Sequence, residues 1–414
     1  MSSRRVVITG LGAVAPSGIG VNEFWNNTLS GKSFIRKITK FDPSGHTSQI
    51  SGEIHGFSAK DYVDSRQIKR TDLSTHYAIA AAKMAQDDSK LNLENEDPGK
   101  VGIIIGIAAG GIDYTEQQFY NYYRGKGLKG ISTFTTIGVY SCAAVGQISI
   151  DFGFTGYNNA VTTGCTAGTV ALGNSYMAIK QGMADVMFSG GIEAPVTPLT
   201  VRAFSAMKAL STRNDAPEAA SRPFEKERDG FIIAEGAGIL VMEEMEHALK
   251  RGAPIYAEVA GYGTTCNAYH MTAPSPDGKE NARAMKQAME QGNLKPQDID
   301  YIHAHGSSTK LNGLAETKAI KRAFGEHAYK IPVSSIKSMI GHPLGAAGAL
   351  QAITNCLVIR DSYIPPTINH HNPDPQCDLD YVPNKSRKKD VDAAMQNSCG
   401  FSGVNAVLVL KKYS

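Results

Sequence analysis

Cysteine is scarce in this chain, and its spacing excludes two common uses of the residue. Only 6 cysteines occur among 414 residues, and no two of them form a CxxC pair. The pattern therefore argues against a cysteine-rich zinc site and against a dithiol redox motif. A chain of this length does not need cross-links to fold, so we expect reduced thiols in a cytoplasmic protein.

Long apolar runs and dense blocks of like charge are also missing. No stretch approaches the roughly 20 apolar residues that a membrane-spanning helix needs. The apolar segment at residues 6–15 is interrupted by threonine and glycine, unlike the core of a secretory leader. The 42 basic and 39 acidic residues leave a net charge of +3. We therefore expect neither a membrane nor a nucleic acid as a partner.

What the chain does contain is a repeated alternation of short β-branched runs and longer helical stretches. This order is typical of an α/β fold with a buried parallel or mixed sheet. The alternation restarts in the second half of the chain, where the run at 255–260 corresponds to the one at 6–8. The sequence therefore predicts two pseudo-equivalent α/β halves, 1–253 and 254–414.

One segment of the first half, residues 112–140, departs from this pattern. It combines basic residues with five closely spaced aromatic residues, which are Tyr114, Phe119, Tyr120, Tyr122 and Tyr123. A long insertion of this composition is expected either to cover a site or to be buried in a contact between subunits, since aromatic side chains anchor such contacts. The sequence leaves both interpretations open.

The most informative motif of the first half surrounds Cys165. The sequence Thr-Thr-Gly-Cys-Thr-Ala-Gly at 162–168 takes a β-branched strand through a glycine turn into a helix of small residues. A cysteine at a helix N-terminus lies near unpaired N–H groups and the positive end of the helix dipole. Both features lower a thiol pKa, and the N–H groups can also stabilise an oxyanion. Taken alone, Cys165 could equally be a small buried apolar residue.

The second half places two histidines in similar surroundings. His305 follows a predicted strand, and His342 follows a glycine turn and opens a helix of small residues, as Cys165 does. Zinc is disfavoured because short-range ligand pairs and carboxylate partners are missing. A thiol with two imidazole donors instead fits acyl transfer, in which the donors stabilise a second carbonyl as it becomes an enolate. Lys337, five residues before His342, is expected to hold that imidazole neutral.

A glycine-flanked aromatic residue lies before the last predicted strand. Phe401 follows Gly400 in the sequence Gly-Phe-Ser-Gly-Val-Asn, and the strand brings it back beside both glycine turns. An aromatic side chain in such a loop can swing over a pocket and gate it. A phenylalanine before a strand is also a common core residue, so both interpretations stay open.

Together these motifs resemble those of the β-ketoacyl-acyl carrier protein (ACP) synthases, a condensing-enzyme family with the thiolase fold. The resemblance runs from Arg5 to Leu410 and rests on motifs that occur in the same order. These are Thr-Gly-Cys-Thr-Ala-Gly at 163–168, Ser-Arg-Pro-Phe at 221–224 with Arg-Asp-Gly-Phe at 228–231, His-Ala-His-Gly-Ser at 303–307, Lys-Ser-Met-Ile-Gly-His at 337–342 and Gly-Phe at 400–401. The resemblance implies a layered αβαβα arrangement of the two halves.

The resemblance also implies roles for the site residues. Cys165 would receive the acyl chain from the phosphopantetheine of an acyl carrier protein, with the amides of Cys165 and Phe401 as oxyanion donors. His305 and His342 would support decarboxylation of a malonyl group, with Lys337 ordering that site. Three hydroxyl residues would line the pantetheine arm: Thr272, Ser307 and Thr309.

Further positions match the family pattern or depart from it. Glu316 matches the family carboxylate that pairs with Lys337. Gln351 stands where many relatives carry glutamate, and Gly313 stands where many carry aspartate. The shell around Lys337 is therefore thinner than usual, and we expect no bound metal ion and no cofactor beyond the carrier's phosphopantetheine.

Within the family, the sequence is most similar to the ketosynthase α subunit of type II polyketide synthases, which implies a heterodimer with a chain length factor. The alternative is a homodimeric β-ketoacyl-ACP synthase II of fatty-acid elongation. A non-catalytic ketosynthase partner and a thiolase are weaker interpretations. Because carrier proteins are acidic, a basic rim is expected, unless these residues form an ordinary solvated face. The candidates are Arg66, Lys69, Arg70, Arg124, Lys126 and Lys129.

Overall fold

The computed structural model describes residues 4–413 as an alternation of strands and helices. The strands are β1 (Val6–Ala15), β2 (Gly18–Ile19), β3 (Arg36–Lys37), β4 (Ile50–Ser51), β5 (Val101–Ile107), β6 (Asn158–Val161), β7 (Val186–Glu193), β8 (Gly236–Glu244), β9 (Ala257–Cys266), β10 (Tyr301–His303), β11 (Val333–Ser334), β12 (Tyr363–Ile364), β13 (Arg387–Lys388), β14 (Ala393–Cys399) and β15 (Val404–Lys411). The α-helices are α1 (Val21–Ser30), α2 (Ser65–Ile68), α3 (Leu73–Ser89), α4 (Ile112–Asn121), α5 (Thr135–Gly138), α6 (Ala143–Phe152), α7 (Ala167–Lys180), α8 (Pro198–Ala206), α9 (Met245–Lys250), α10 (Lys279–Gln291), α11 (Lys310–Phe324), α12 (Lys337–Ile340) and α13 (Ala347–Asp361). Within the described residues, no helix combines the length and the apolar character needed to cross a membrane.

One continuous sheet runs through both halves of the chain. Its strand order is β11-β10-β14-β15-β9-β1-β8-β7-β5-β6, and β2 is paired to β1. The halves meet where β1 and β9 pair antiparallel, at Val7 with Glu258 and Ile8 with Ala257. Outward from this seam, each half has two antiparallel pairings followed by two parallel ones. The sheet thus contains the same arrangement of strands twice, as the restart of the sequence pattern predicts. The predicted boundary at 253/254 falls between α9 and β9 and stays a prediction.

Two apolar helices form the buried central layer between the halves. Helices α7 and α13 pack against each other and against strands of the sheet, whereas α3 and α10 cover the strands on their other side. In α13 every residue from 347 to 359 is buried. The two helices start close together, because a Cβ atom added to Gly168 would lie 2.7 Å from the carbonyl oxygen of Gly345. This close approach brings the residues just before each helix, Cys165 and His342, to the same place.

The aromatic segment 112–140 is mostly helical and lies on the surface. It contains α4, a π-helical turn at Tyr122–Lys126 and α5. Phe119 is 59% exposed and Tyr123 is 76% exposed. No residue of this segment lines the cavity described below, so the segment does not cover that cavity within this chain. A contact with another subunit is the interpretation that remains.

Candidate active site

The nucleophile candidate Cys165 lies in a sharp connection between β6 and α7. Gly164 has a φ of +61°, a left-handed conformation that glycine adopts without steric cost, and a single 3-10 turn at Gly164–Thr166 precedes the α-helix. Cys165 is half-buried and faces a cavity of about 690 Å³. The main-chain N–H groups of Phe401 and of Cys165 itself interact with its sulfur.

The pKa of the Cys165 thiol differs from the sequence expectation. Burial raises it from 9.0 to about 11, and the nearby carboxylate of Glu193 raises it further. The charge of Lys337 and the two main-chain N–H groups lower it, but they do not offset the desolvation. The expectation of a lowered pKa was wrong because it considered the helix terminus alone and not the loss of water around the sulfur.

The two predicted histidines meet at the same cavity. His305 follows β10, and His342 follows α12 through Gly341, whose φ is +80°. Their ring centroids are 5.2 Å apart and the rings are nearly perpendicular, at 83°. Burial, together with the charge of Lys337, holds the pKa of both imidazoles well below the usual range. Both rings are therefore neutral near pH 7, as expected, and burial contributes more to this than Lys337 does.

Lys337 lies behind the histidines and not in the cavity wall. Its ammonium Nζ donates a hydrogen bond of 2.7 Å to the carbonyl oxygen of His305. Burial lowers the pKa of Lys337 from 10.5 to about 8, whereas the charge of Glu316 raises it. The side chain is thus a buried cation whose ionisation falls within the ordinary range of experiments.

Glu316 has partners other than the expected one. Among residues 4–413, Glu316 and Lys337 form no salt bridge within 4 Å, although the charge of Glu316 acts on Lys337 and raises its pKa. The Glu316 carboxylate instead accepts hydrogen bonds from the main-chain N–H groups of His305, at 2.6 Å, and of Gly306, at 2.9 Å. The side chains of Asn312 and Asn397 donate to it at 3.0 and 2.7 Å. Four donors satisfy the carboxylate, which therefore holds the main chain of His305 in place.

Phe401 forms part of the cavity wall in a strained loop. Ser402, the next residue, has a φ of +66°, which is unusual for a residue with a side chain. The N–H of Ser402 donates to the carbonyl oxygen of Met271 at 2.6 Å, which links the loop to a second surface segment. The Phe401 ring lies 6.3 Å from the ring of Phe204, centroid to centroid. The structure thus places Phe401 at the site, in a position to cover it.

The cavity has an apolar part and a polar part. Its apolar lining includes Ala108, Ala109, Phe204, Phe231 and Leu344. Its polar lining includes the three predicted pantetheine-contacting residues Thr272, Ser307 and Thr309. No group of three His, Cys, Asp or Glu side chains in the described part of the chain could hold a metal ion. The volume and the mixed lining suit a flexible chain that carries both amide groups and hydrocarbon.

The predicted docking residues are all exposed, but none lines the cavity. They are Arg66, Lys69, Arg70, Arg124, Lys126 and Lys129. The guanidinium of Arg70 lies 4.6 Å from the ring centroid of Phe134, so the basic patch around α2 contacts the aromatic segment. Two exposed lysines that the sequence analysis missed, Lys208 and Lys310, do line the cavity. Lys310 directly follows the predicted Thr309, which was the available signal.

One further buried residue near the site was missed. Glu193, at the end of β7, accepts main-chain hydrogen bonds from Ala108, Ala109 and Gly345 at 2.8–3.0 Å, and burial raises its pKa to about 7. Cys399, which directly precedes Gly400 and is the one residue that invites the thiolase interpretation, is half-buried and lines the cavity, and desolvation raises the pKa of its thiol well above the usual range. Glu193 stands in no recognisable local pattern, so only the fold reveals it.

Comparison with known proteins gives one family for both halves. The family described as "Beta-ketoacyl synthase, N-terminal domain" matches residues 3–248, and "Beta-ketoacyl synthase, C-terminal domain" matches residues 256–371. Two relatives are proteins named 3-oxoacyl-[acyl-carrier-protein] synthase 2. The Synechocystis sp. protein is 44% identical over 413 residues, which are 100% of this chain and 99% of that protein. The Staphylococcus aureus protein is 46% identical over 411 residues, which are 99% of each.

Solved structures confirm the thiolase-like ketosynthase fold with its two halves. One is a type II polyketide synthase acyl-carrier protein in complex with its ketosynthase bound to the hexaketide, which matches with a TM-score of 0.93 at 39% identity over 100% of both chains. Another is the ishigamide ketosynthase/chain length factor, with a TM-score of 0.94 at 34% identity over 100% of both chains. From these matches and the family models, this chain belongs to the β-ketoacyl synthase family of condensing acyltransferases.

Proposed function

We propose that this chain joins an acyl group held on Cys165 to a malonyl group carried by an acyl carrier protein, with loss of carbon dioxide. The observation that carries the proposal is a set of unpaired polar atoms beside the cavity. Within residues 4–413, Nδ1 of His305 and both ring nitrogens of His342 are buried without a hydrogen-bond partner. Buried polar atoms need partners, and the oxygens of a bound malonyl thioester would accept a hydrogen bond from the single N–H of each neutral ring.

The first step loads the acyl chain. The Cys165 sulfur attacks the carbonyl carbon of the acyl thioester, and the developing oxyanion accepts hydrogen bonds from the main-chain N–H groups of Cys165 and Phe401. The new S–C bond replaces the one to pantetheine, which leaves as a thiol with the proton that Cys165 gave up. The apolar part of the cavity, at Phe204 and Phe231, would hold the hydrocarbon.

The second step forms the new carbon–carbon bond. The C–C bond to the malonyl carboxylate breaks, carbon dioxide leaves, and its electron pair becomes an enolate. Neutral His305 and His342 stabilise that enolate as N–H donors, without transferring a proton. The enolate carbon then attacks the Cys165 thioester, and the sulfur leaves as a thiolate that takes up a proton from water. The 3-oxoacyl product stays on the carrier.

The test is product formation by the purified chain with one acyl-ACP and malonyl-ACP. We expect 3-oxoacyl-ACP by mass spectrometry, with equimolar carbon dioxide. Cys165→Ala should form none, and Cys377→Ala, which changes a buried cysteine away from the cavity, should resemble the wild type. Condensation that persists in Cys165→Ala would overturn the proposal.

For the pathway, we propose elongation of fatty acids as a 3-oxoacyl-ACP synthase 2. The support is the name shared by relatives that are 44–46% identical over nearly the full length. The sequence alone favoured the type II polyketide ketosynthase α, and that second candidate is supported by the 39% identity to a ketosynthase bound to the hexaketide. The two candidates share the chemistry and differ in the acyl chain and the partner.

Both candidate functions require a second subunit, and two surfaces of this chain support a subunit contact. Strand β6 forms an end of the sheet and pairs only with β5 among the described residues, and its Asn158 and Asn159 are exposed. An unpaired strand edge is a ready site for pairing with another chain. The exposed aromatic side chains of Phe119 and Tyr123 form an apolar surface of the kind found in subunit contacts.

The oligomeric state and the activity of the purified chain distinguish the two candidate functions. As a fatty-acid elongation synthase, the chain purified alone should be a homodimer that extends saturated acyl-ACP. As a polyketide ketosynthase α, it should extend chains only after coexpression with a homologue that lacks the nucleophile. In either case Tyr123→Asp should weaken the dimer, and Tyr269→Asp, which changes an exposed tyrosine outside segment 112–140, should not. A chain that remains monomeric and active would contradict both.

A further inference from the structure

A buried glutamine lies where the strands that carry His305 and Phe401 come together. The side chain of Gln351, on α13, is only 1% exposed. Its Nε2 donates to the carbonyl oxygen of Ala304 at 2.9 Å and lies 3.3 Å from that of Asn397 and 3.4 Å from that of His303. Its Oε1 accepts from the hydroxyl of Ser398 at 3.2 Å. One carboxamide thus contacts both strands at their ends.

These contacts reach every element of the active site. Ala304 directly precedes His305, and Asn397 and Ser398 lie in β14, which leads to Phe401. The hydroxyl of Ser398 also lies 2.8 Å from that of Thr169, on the helix that follows Cys165. Gln351 itself belongs to the helix that follows His342. The Gln351 side chain therefore contacts the main chain beside His305 and the strand that leads to Phe401, and it reaches the helix after Cys165 through the hydroxyls of Ser398 and Thr169.

The amide suits this place without a proton or a cation to assist it. Three carbonyl oxygens converge on Nε2, and each carries a partial negative charge. The NH2 group, with two hydrogens, is attracted to these oxygens, whereas a carboxylate of the same size would be repelled unless it were protonated or accompanied by a cation. Removing the group altogether would leave buried carbonyl oxygens without a partner.

We propose that Gln351 is a positioning residue for the condensation, fixing the distance between the His305 main chain and the strand that carries Phe401. The proposal rests on the proposed function for the roles of those two residues. Gln351 touches neither the cavity nor a substrate. Its effect on the reaction is exerted through the placement of the His305 imidazole.

Three variants test this role. Gln351→Leu removes the donor, Gln351→Glu replaces it with a carboxylate of the same length, and Thr354→Val is the matched control on the same helix. The hydroxyl of Thr354 is buried and bonds only the carbonyl oxygen of Leu350 in its own helix. Each variant is assayed for decarboxylation of malonyl-ACP and for acylation of Cys165 by acyl-ACP.

We expect Gln351→Leu to reduce the rate of decarboxylation at least tenfold and the rate of Cys165 acylation by less. The reason is that the shortest hydrogen bond of Gln351 is to Ala304, the residue before His305. Gln351→Glu should reduce the decarboxylation rate by a similar factor at pH 7.5. The rate should recover at least threefold when potassium, magnesium or calcium is added, since three carbonyl oxygens and a carboxylate oxygen are then available to bind the cation. The wild type and Thr354→Val should change less than twofold under the same additions.

Two results would overturn the role of Gln351: decarboxylation within twofold of the wild type in both variants, or an equal loss in Thr354→Val. If Gln351→Leu does not fold, Gln351→Glu decides alone, because a loss that no cation reverses contradicts the proposal. Amide hydrogen exchange at residues 304–306 and 397–401 tests the positioning role of Gln351 independently of the proposed function. Suppose that amide exchange in these segments is at least tenfold faster in Gln351→Leu, but the wild type does not decarboxylate malonyl-ACP. Gln351 would then still hold the two strands together, and the proposed condensation would be rejected.

Discussion

The ammonium of Lys337 donates a 2.7 Å hydrogen bond to the carbonyl oxygen of His305, and both residues are buried. A positive charge is thereby held next to two imidazole rings without touching the cavity. It disfavours protonation of both rings and favours the thiolate of Cys165. One buried cation thus supports both parts of the site.

The pH dependence of decarboxylation should report the ionisation of Lys337. Its pKa is lowered by burial to about 8, so the ammonium loses its proton as the pH rises through that value. The rate of malonyl-ACP decarboxylation should therefore fall above pH 8 in the wild type. Lys337→Met should be about 100-fold slower, as expected for loss of a preorganised charge, and should lack this fall. A wild-type rate that is constant from pH 7 to 9.5 would contradict the assignment.

Alkylation of Cys165 should be slow at neutral pH. The pKa of its thiol is raised to about 11, so the thiolate fraction rises about tenfold per pH unit below that value. Iodoacetamide labelling, followed site by site with mass spectrometry, should accelerate in this way from pH 7 to 9 without a plateau. Lys337→Met should label more slowly still, while the exposed Cys142 in the same sample should label equally in both proteins. A plateau near pH 7 would show a lowered thiol pKa instead.

Glu316 should contribute to stability as well as to the site. Glu316→Ala leaves the buried N–H groups of His305 and Gly306 without their acceptor, and we expect it to lower the free energy of unfolding by about 3 kcal/mol. The exposed Glu290 provides the control, and Glu290→Ala should change it by less than about 0.5 kcal/mol. Urea unfolding at pH 7.5 measures both. Equal midpoints for the two variants would mean that Glu316 does not hold this main chain.

A pH effect on stability should arise far from the site, at His247. Its ring lies 2.8 Å from Glu243 and 2.8 Å from Glu96, and chiefly the hydrogen bond to Glu243 raises the pKa of His247 to about 9. Because the folded value exceeds the unfolded 6.5, the stabilisation is complete below pH 6.5 and is lost as the pH rises through 9. After discounting for its partial exposure, we expect about 1 kcal/mol.

The check compares the wild type with His247→Gln by urea unfolding at pH 6 and pH 9.5. The difference in unfolding free energy should be present at pH 6 and should disappear at pH 9.5. The variant His371→Gln, which changes an exposed histidine, should show no such difference at either pH. A gap that widens at high pH would have the wrong sign for this ion pair.

Local patterns were sufficient to predict the main site residues. Cys165 and His342 each stand between a glycine turn and a helix of small residues, and the close start of α7 and α13 brings them together. His305 follows the short strand β10, which lies between β11 and β14 in the sheet. These features depend on a few neighbouring residues, which is why a sequence alone can reveal them.

Other features depend on distant segments and could not be predicted. The thiol pKa of Cys165 depends on burial by segments from both halves, which outweighs the helix terminus. Glu316 accepts hydrogen bonds from Asn397, 81 residues away, instead of pairing with Lys337. Gln351 stood out in the sequence only as a departure from the family pattern, because its three carbonyl partners come from two separate strands.

The central claim is that Cys165 holds the acyl chain while His305 and His342 support enolate formation in the same cavity. Intact-protein mass spectrometry tests it directly, by adding acyl-ACP to the chain and then malonyl-ACP. We predict that the acyl mass appears on Cys165 and disappears as 3-oxoacyl-ACP forms, and that His305→Ala acquires the acyl mass but retains it after malonyl-ACP is added. Turnover of the acyl mass in His305→Ala at the wild-type rate, or no acyl mass on Cys165 in the wild type, would contradict the account.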